Sequence, residues 1–105
     1  VVEEIDTGIS GRTAQVVAEK MWNIAKYRQV LCVTHLQQIA AMAGSQYLVI
    51  KTERDGRTVS EIKHLSREER VLELSRMISG YSKESASSLI HAEHMLKEAE
   101  EYRRT

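Results

Sequence analysis

Val1-Val2-Glu3-Glu4-Ile5-Asp6-Thr7-Gly8-Ile9-Ser10-Gly11 opens the chain, and these residues decide how the rest is read. An apolar strand end runs directly into two adjacent carboxylates, then into a glycine-punctuated loop that opens a helix. Acids at the C-terminal lip of a buried strand are costly unless they hold a cation or a water, so the pair marks a site. Farther along, Val30-Leu31-Cys32-Val33 forms a second apolar strand that ends in Thr34-His35. Two neighbouring parallel strands would present Glu3, Glu4 and His35 at one sheet edge, the layout of a nucleotide-hydrolysing site.

Outward from this stretch the pattern runs strand, helix, strand, helix, hairpin, helix, helix. Ser10 is placed to cap the first helix and Gly11 to let the chain turn tightly. Ala14, Val17, Met21 and Ile24 recur at helical spacing, so one stripe of residues 11–27 faces a core. Residues 29–34 form a short continuous apolar strand, as in a parallel sheet covered on both faces. Residues 36–43 form a short helix stopped by Gly44. Residues 47–51 and 58–64 are the arms of a hairpin turned at Asp55-Gly56. Ser66-Arg67-Glu68-Glu69 is a capping box, and Val71, Leu74 and Ile78 give its helix an inward stripe that Gly80 ends. A last helix over residues 84–102 turns Leu89, Ala92, Leu96 and Ala99 inward.

At 105 residues the chain fits one small domain. Lys+Arg and Asp+Glu both number 15, so no global basic field draws it to nucleic acid, which weakens a small DNA-binding domain as a reading. The single cysteine, Cys32, makes no intrachain disulfide and suits a reducing cytosol; its apolar setting marks a small buried hydrophobe rather than a nucleophile. Proline and phenylalanine are absent, so Val, Ile, Leu, Met and Ala must build the core. No apolar run reaches the length of a membrane span. The chain begins inside a strand and without Met, as a piece of a longer protein would.

In a nucleotide hydrolase the first acid, Glu3, holds Mg²⁺ through water, and the second, Glu4, polarises the attacking water. Gly8 and Gly11 give the following loop its conformational freedom, and Ile9 within it suggests packing across an interface. A neutral His35 imidazole could hydrogen-bond a terminal phosphate and sense its loss. His91 and His94 lie three apart on a helix without an evident third ligand, the pattern of a surface helix rather than a metal site. Arg54, Arg57, Lys63, Arg67 and Arg70 cluster around the hairpin, but interleaved acids make them a solvated face before a DNA contact.

Three stretches together carry a resemblance: residues 3–11, residues 29–43 (Gln-Val-Leu-Cys-Val-Thr-His-Leu-Gln-Gln-Ile-Ala-Ala-Met-Ala) and Asp55-Gly56-Arg57-Thr58. In order and spacing they resemble the C-terminal end of RecN, the bacterial SMC-like ATPase family of double-strand break repair. The resemblance spans essentially the whole chain. It implies an α/β fold: part of a P-loop, ABC/SMC-type ATPase head, with parallel strands, flanking helices, a β-hairpin and two C-terminal helices. Residues 1–105 would then be the C-terminal part of that head. The resemblance puts Glu3 at the Walker B acid, Glu4 at the catalytic glutamate, Thr7, Gly8 and Ser10 in the D-loop that crosses to a partner head, and His35 at the switch histidine. Glu3 departs from the Asp usual in the family, and its extra methylene shifts the Mg²⁺-facing oxygens.

ATP and Mg²⁺ are the cofactors this implies for the full-length protein. The remainder of the head, a second head and DNA are the implied partners, with no membrane. A bacterial cytoplasmic, nucleoid-associated setting follows from the same resemblance. No G-x-x-x-x-G-K-[ST] occurs, because the five glycines, at 8, 11, 44, 56 and 80, cannot make one. Without that phosphate cradle the chain alone is expected neither to bind nor to hydrolyse ATP appreciably. Open strand edges and apolar faces predict self-association or swapped elements. The competing reading is a non-catalytic interaction module that docks a partner on the two C-terminal helices.

Overall fold

The computed structural model describes residues 2–3, 11–79 and 86–104. It is a mixed helix and sheet structure, and its elements follow the expected order. They are β1 (Val2–Glu3), α1 (Gly11–Ala25), β2 (Cys32–Val33), α2 (Gln37–Met42), β3 (Tyr47–Arg54), β4 (Arg57–His64), α3 (Arg67–Ser79) and α4 (Ala86–Arg103). β1 and β2 pair in parallel; β3 and β4 pair antiparallel.

α2 is the centre of the core. Its run Ile39-Ala40-Ala41-Met42 is buried residue after residue, which happens only when a helix is covered on all sides. The cover comes from α1, α3 and α4. Ala18 of α1, Leu74 of α3, and Ala92, Leu96 and Ala99 of α4 join these four residues in one cluster. Small residues on the facing helices allow close approach, and Trp22, Met21 and Met77 fill the margins. The inward stripe of α4 is as expected, with Leu89 half-buried beside the three buried positions.

Three expectations change in detail. The stripe of α1 centres on Ala14 and Ala18, while Ile24 is 52% exposed: it sits at the rim of the stripe, in the last turn. Residues 29–34 contribute only Cys32 and Val33 to a strand. Leu31 and Val33 are exposed while Cys32 packs on the core, so among the described residues helices cover one face of β2, not two. The end of α2 falls at Ala43, which leaves the helix in an extended conformation (φ −64°, ψ 138°), rather than through a left-handed Gly44.

The hairpin is longer than the sequence pattern indicated. Asp55 (φ 51°) and Gly56 (φ 73°) both take the left-handed region that a two-residue type I′ turn requires, and Arg54 pairs with Arg57 across it. The ribbon stands away from the helices. Its exit is held by the buried Leu65, whose N–H donates to the Gln46 carbonyl at 3.0 Å. The capping box forms as expected: Ser66 N–H donates to Glu69 Oε1 at 2.9 Å, and Glu69 N–H donates to Ser66 Oγ at 3.2 Å. Gly80 and the start proposed for the last helix at residues 84–85 lie outside the described residues.

Candidate functional site

The β1–β2 register is the first element of the site. Val2 pairs with Cys32, and Glu3 with Val33. Because the strands are parallel, their C-terminal ends lie at the same edge, and His35 follows Val33 by two residues. His35 is exposed and lies between β2 and α2. Glu4, Thr7, Gly8 and Ser10 lie outside the described residues, as do Asp6 and Ile9.

The turn that carries His35 is fixed on both sides. Before it, Thr34 Oγ1 accepts the Leu36 N–H at 3.0 Å, a local side-chain turn that sets the entry to α2. After it, the Leu36 carbonyl already accepts the Ala40 N–H, at 3.1 Å. The position of His35 is therefore coupled to that of α2.

The C-terminal end of α2 is held by two arginines. A helix leaves most of its last carbonyls without intrahelical donors; here the Ala43 N–H reaches the Ala40 carbonyl at 3.3 Å, and the end is completed by side chains. Arg70 Nη2 donates to the carbonyls of Ala40 (3.1 Å), Ala41 (3.4 Å) and Ala43 (2.8 Å), while its Nε donates to Gln46 Oε1 (3.2 Å). Arg103 Nη1 donates to the Ala41 carbonyl at 2.9 Å. Two cations at the negative end of the helix also suit its dipole. Burial, then the like charge of Arg103, pushes the Arg70 pKa down, with the Glu100 carboxylate acting the other way. Burial lowers the Arg103 pKa as well.

The last turn of α4 also ties down α1. The Arg103 guanidinium carbon lies 5.7 Å from the Trp22 ring centroid, and Asn23 Nδ2 donates to the Tyr102 hydroxyl at 3.3 Å. Sequence reasoning missed Arg103 and Tyr102, and gave Arg70 and Thr34 other roles. For Arg70 a signal exists: it stands one helical turn before Leu74, on the buried stripe of α3.

The basic group around the hairpin separates into different roles. Lys63 pairs with Glu69. Arg67 grips Glu100 with two donors, Nε at 3.1 Å and Nη2 at 2.9 Å, and reaches Glu93 at 3.0 Å. Those carboxylates raise the Arg67 pKa above its usual range. Arg70 is buried and belongs to the core, which corrects its assignment to a solvated face. Arg54 and Arg57 stay exposed beside the turn. His94 pairs with Glu98 on α4, and among the described residues no group of three metal-ligating side chains assembles. An open cleft of about 310 Å³ between α1, α2 and α4 is lined by Gln15, Glu19, Gln38 and His91 among others. Among the described residues no helix is long and apolar enough to cross a membrane.

No protein-family model matches the chain. It is, however, 43% identical over 105 residues to the DNA repair protein RecN of Bacillus subtilis, covering 100% of this chain and 18% of that protein. Identity to the DNA repair protein RecN of Deinococcus radiodurans is 49% over 96 residues, 91% of this chain and 17% of the relative. For the protein of the same name from Treponema pallidum it is 39% over 104 residues, 99% of this chain and 18% of the relative. The chain thus spans less than a fifth of the length of these relatives, and as a segment of that extent it belongs to the RecN family.

Proposed function

We propose that this segment is the C-terminal part of an ABC-type, P-loop ATPase head within a RecN protein, and that the whole protein couples ATP binding and hydrolysis to DNA break repair and recombination. The observation that carries the reading is the parallel register of β1 with β2. It sets Glu3 beside Val33, so that the strand leading into Glu4 and the strand leading into His35 end at one edge. The chain's relatives bear the name of a DNA repair protein, which supports the cellular role.

In this reading Glu4 holds and polarises the attacking water, and His35 hydrogen-bonds the terminal phosphate. Glu3 offers hard carboxylate oxygens, the donor type that Mg²⁺ takes. When bound, the metal neutralises charge on the phosphates. Thr7, Gly8 and Ser10 form the loop that meets a second head, so that two heads close on ATP. The phosphate-gripping loop comes from another part of the protein, and the heads act in the bacterial cytoplasm on DNA.

The test is Glu4→Gln in the full-length protein. The amide keeps the shape of the side chain and removes its basicity. ATP should remain bound, turnover should fall by roughly 10²–10⁴-fold, and the heads should stay associated in cross-linking or sizing. Hydrolysis at the wild-type rate removes Glu4 from the mechanism.

A further inference from the structure

We infer that the last turn of α4, through Arg103 and Tyr102, is a positioning device for the candidate ATPase site: it fixes the helix that comes next in the chain after β1 and the helix that follows His35. This rests on the function proposed above and adds to it residues far from the candidate chemistry.

The inference follows from connectivity. α1 is the next described element after β1; α2 begins two residues after His35. Both helices are grasped by the same turn of α4. Arg103 donates to the Ala41 carbonyl of α2 at 2.9 Å and lies over Trp22 of α1. Tyr102 accepts from Asn23 of α1 at 3.3 Å. α2 has only six residues, too few to hold its own direction, so its placement depends on what grips its ends. At its start the grip is the Thr34–Leu36 turn, which contains His35. At its finish it is Arg70 and Arg103.

A shift of α2 along its axis would carry His35 with it. Displacements of about 1 Å at a catalytic group cost up to roughly a hundredfold in rate. Arg103 acts through its bond to α2 and its contact with α1, and Tyr102 through α1; neither is proposed to touch nucleotide.

The experiment uses the full-length protein and steady-state ATP hydrolysis. Arg103→Met keeps the apolar stem and removes the donors. Its kcat should fall roughly tenfold with KM for ATP within about twofold. Arg103→Lys, whose ammonium can still donate to Ala41, should recover most of the loss. On a His35→Ala background, Arg103→Met should cost clearly less than it does alone, because the share of its effect carried by α2 acts through His35.

Wild-type kcat in Arg103→Met, with His35→Ala impaired, overturns the positioning role and leaves the proposed site standing. Losses that add fully across the two changes also overturn it. Wild-type kcat in His35→Ala overturns the site and this inference together. Where Arg103→Met melts early, Tyr102→Phe carries the test. It removes the hydroxyl that meets Asn23 and keeps the ring, and its kcat should fall by about threefold; an unchanged kcat counts against the device.

Discussion

Arg103, in the final turn of α4, donates from Nη1 to the Ala41 carbonyl of α2 at 2.9 Å, across 62 positions of chain. With Arg70 it forms a polar clasp around the end of α2. Leucine, alanine and methionine side chains supply the burial around α2, but they cannot satisfy the carbonyls that a short buried helix leaves open. The arginines therefore determine where α2 ends.

Arg70→Met should test the clasp as a stability element. The thioether fills much of the stem's volume, but the Ala40 and Ala43 carbonyls lose their Arg70 donor. We expect a loss of about 3 kcal/mol in denaturant unfolding, from charged hydrogen bonds removed and acceptors left buried. A loss within about 0.5 kcal/mol, the range of an ordinary surface change, contradicts the burial assigned to this guanidinium.

Glu69 gives the α3 start a pH signature. Its bond to Lys63, then those to Ser66, lower its pKa from 4.5 to about 2. A carboxylate with a depressed folded pKa contributes stability that is full above its unfolded pKa and fades as pH falls through the folded one. Glu69→Gln should therefore lower the melting temperature at pH 7, and the gap from wild type should close between about pH 5 and pH 2. A gap that stays constant down to pH 2 means the charge on Glu69 is not what the capping box uses.

Core and surface of α4 should separate clearly. Leu96 is fully buried in the core cluster, whereas Ile90 is 71% exposed on the same helix. Leu96→Ala should cost about 3 kcal/mol and Ile90→Ala less than about 0.5 kcal/mol, measured by chemical denaturation. Similar costs for both would place the core on the wrong side of α4.

Much of this was legible in the sequence because local chemistry decided it. Asp55-Gly56 tolerates the two positive φ angles of a tight hairpin, and Ser66 with Glu69 satisfies a helix start within four residues. Ala92, Leu96 and Ala99 declare their face by spacing alone. Arg70 did not, since a charged residue near a basic hairpin reads as solvated until a buried helix end lies within its reach. Ile24 misled for a related reason: a stripe marks a face but not how far along the helix the core extends. At the site, the parallel pairing of β1 with β2 was anticipated, while the Thr34 turn that anchors His35 depends on a hydroxyl geometry that spacing does not reveal.

The chain by itself should not bind ATP. It lacks a glycine-rich phosphate loop, and the residues proposed to meet the nucleotide supply water, metal and terminal-phosphate contacts only. Val33 of β2 and Leu31 just before it are exposed apolar side chains, so we also expect dimers or larger species on sedimentation. Micromolar ATP binding by calorimetry contradicts the first expectation, and a monomer at high concentration the second.

The central claim is that two strand ends bring Glu3, Glu4 and His35 onto one nucleotide. It is tested most directly by an experimental structure of the full-length protein with Mg²⁺ and a non-hydrolysable ATP analogue. His35 should lie within hydrogen-bond distance of the γ-phosphate, Glu4 on a water in line with it, and Glu3 on the metal or on a water that the metal holds. A triphosphate bound elsewhere, with β1 and β2 still paired in this register, contradicts it.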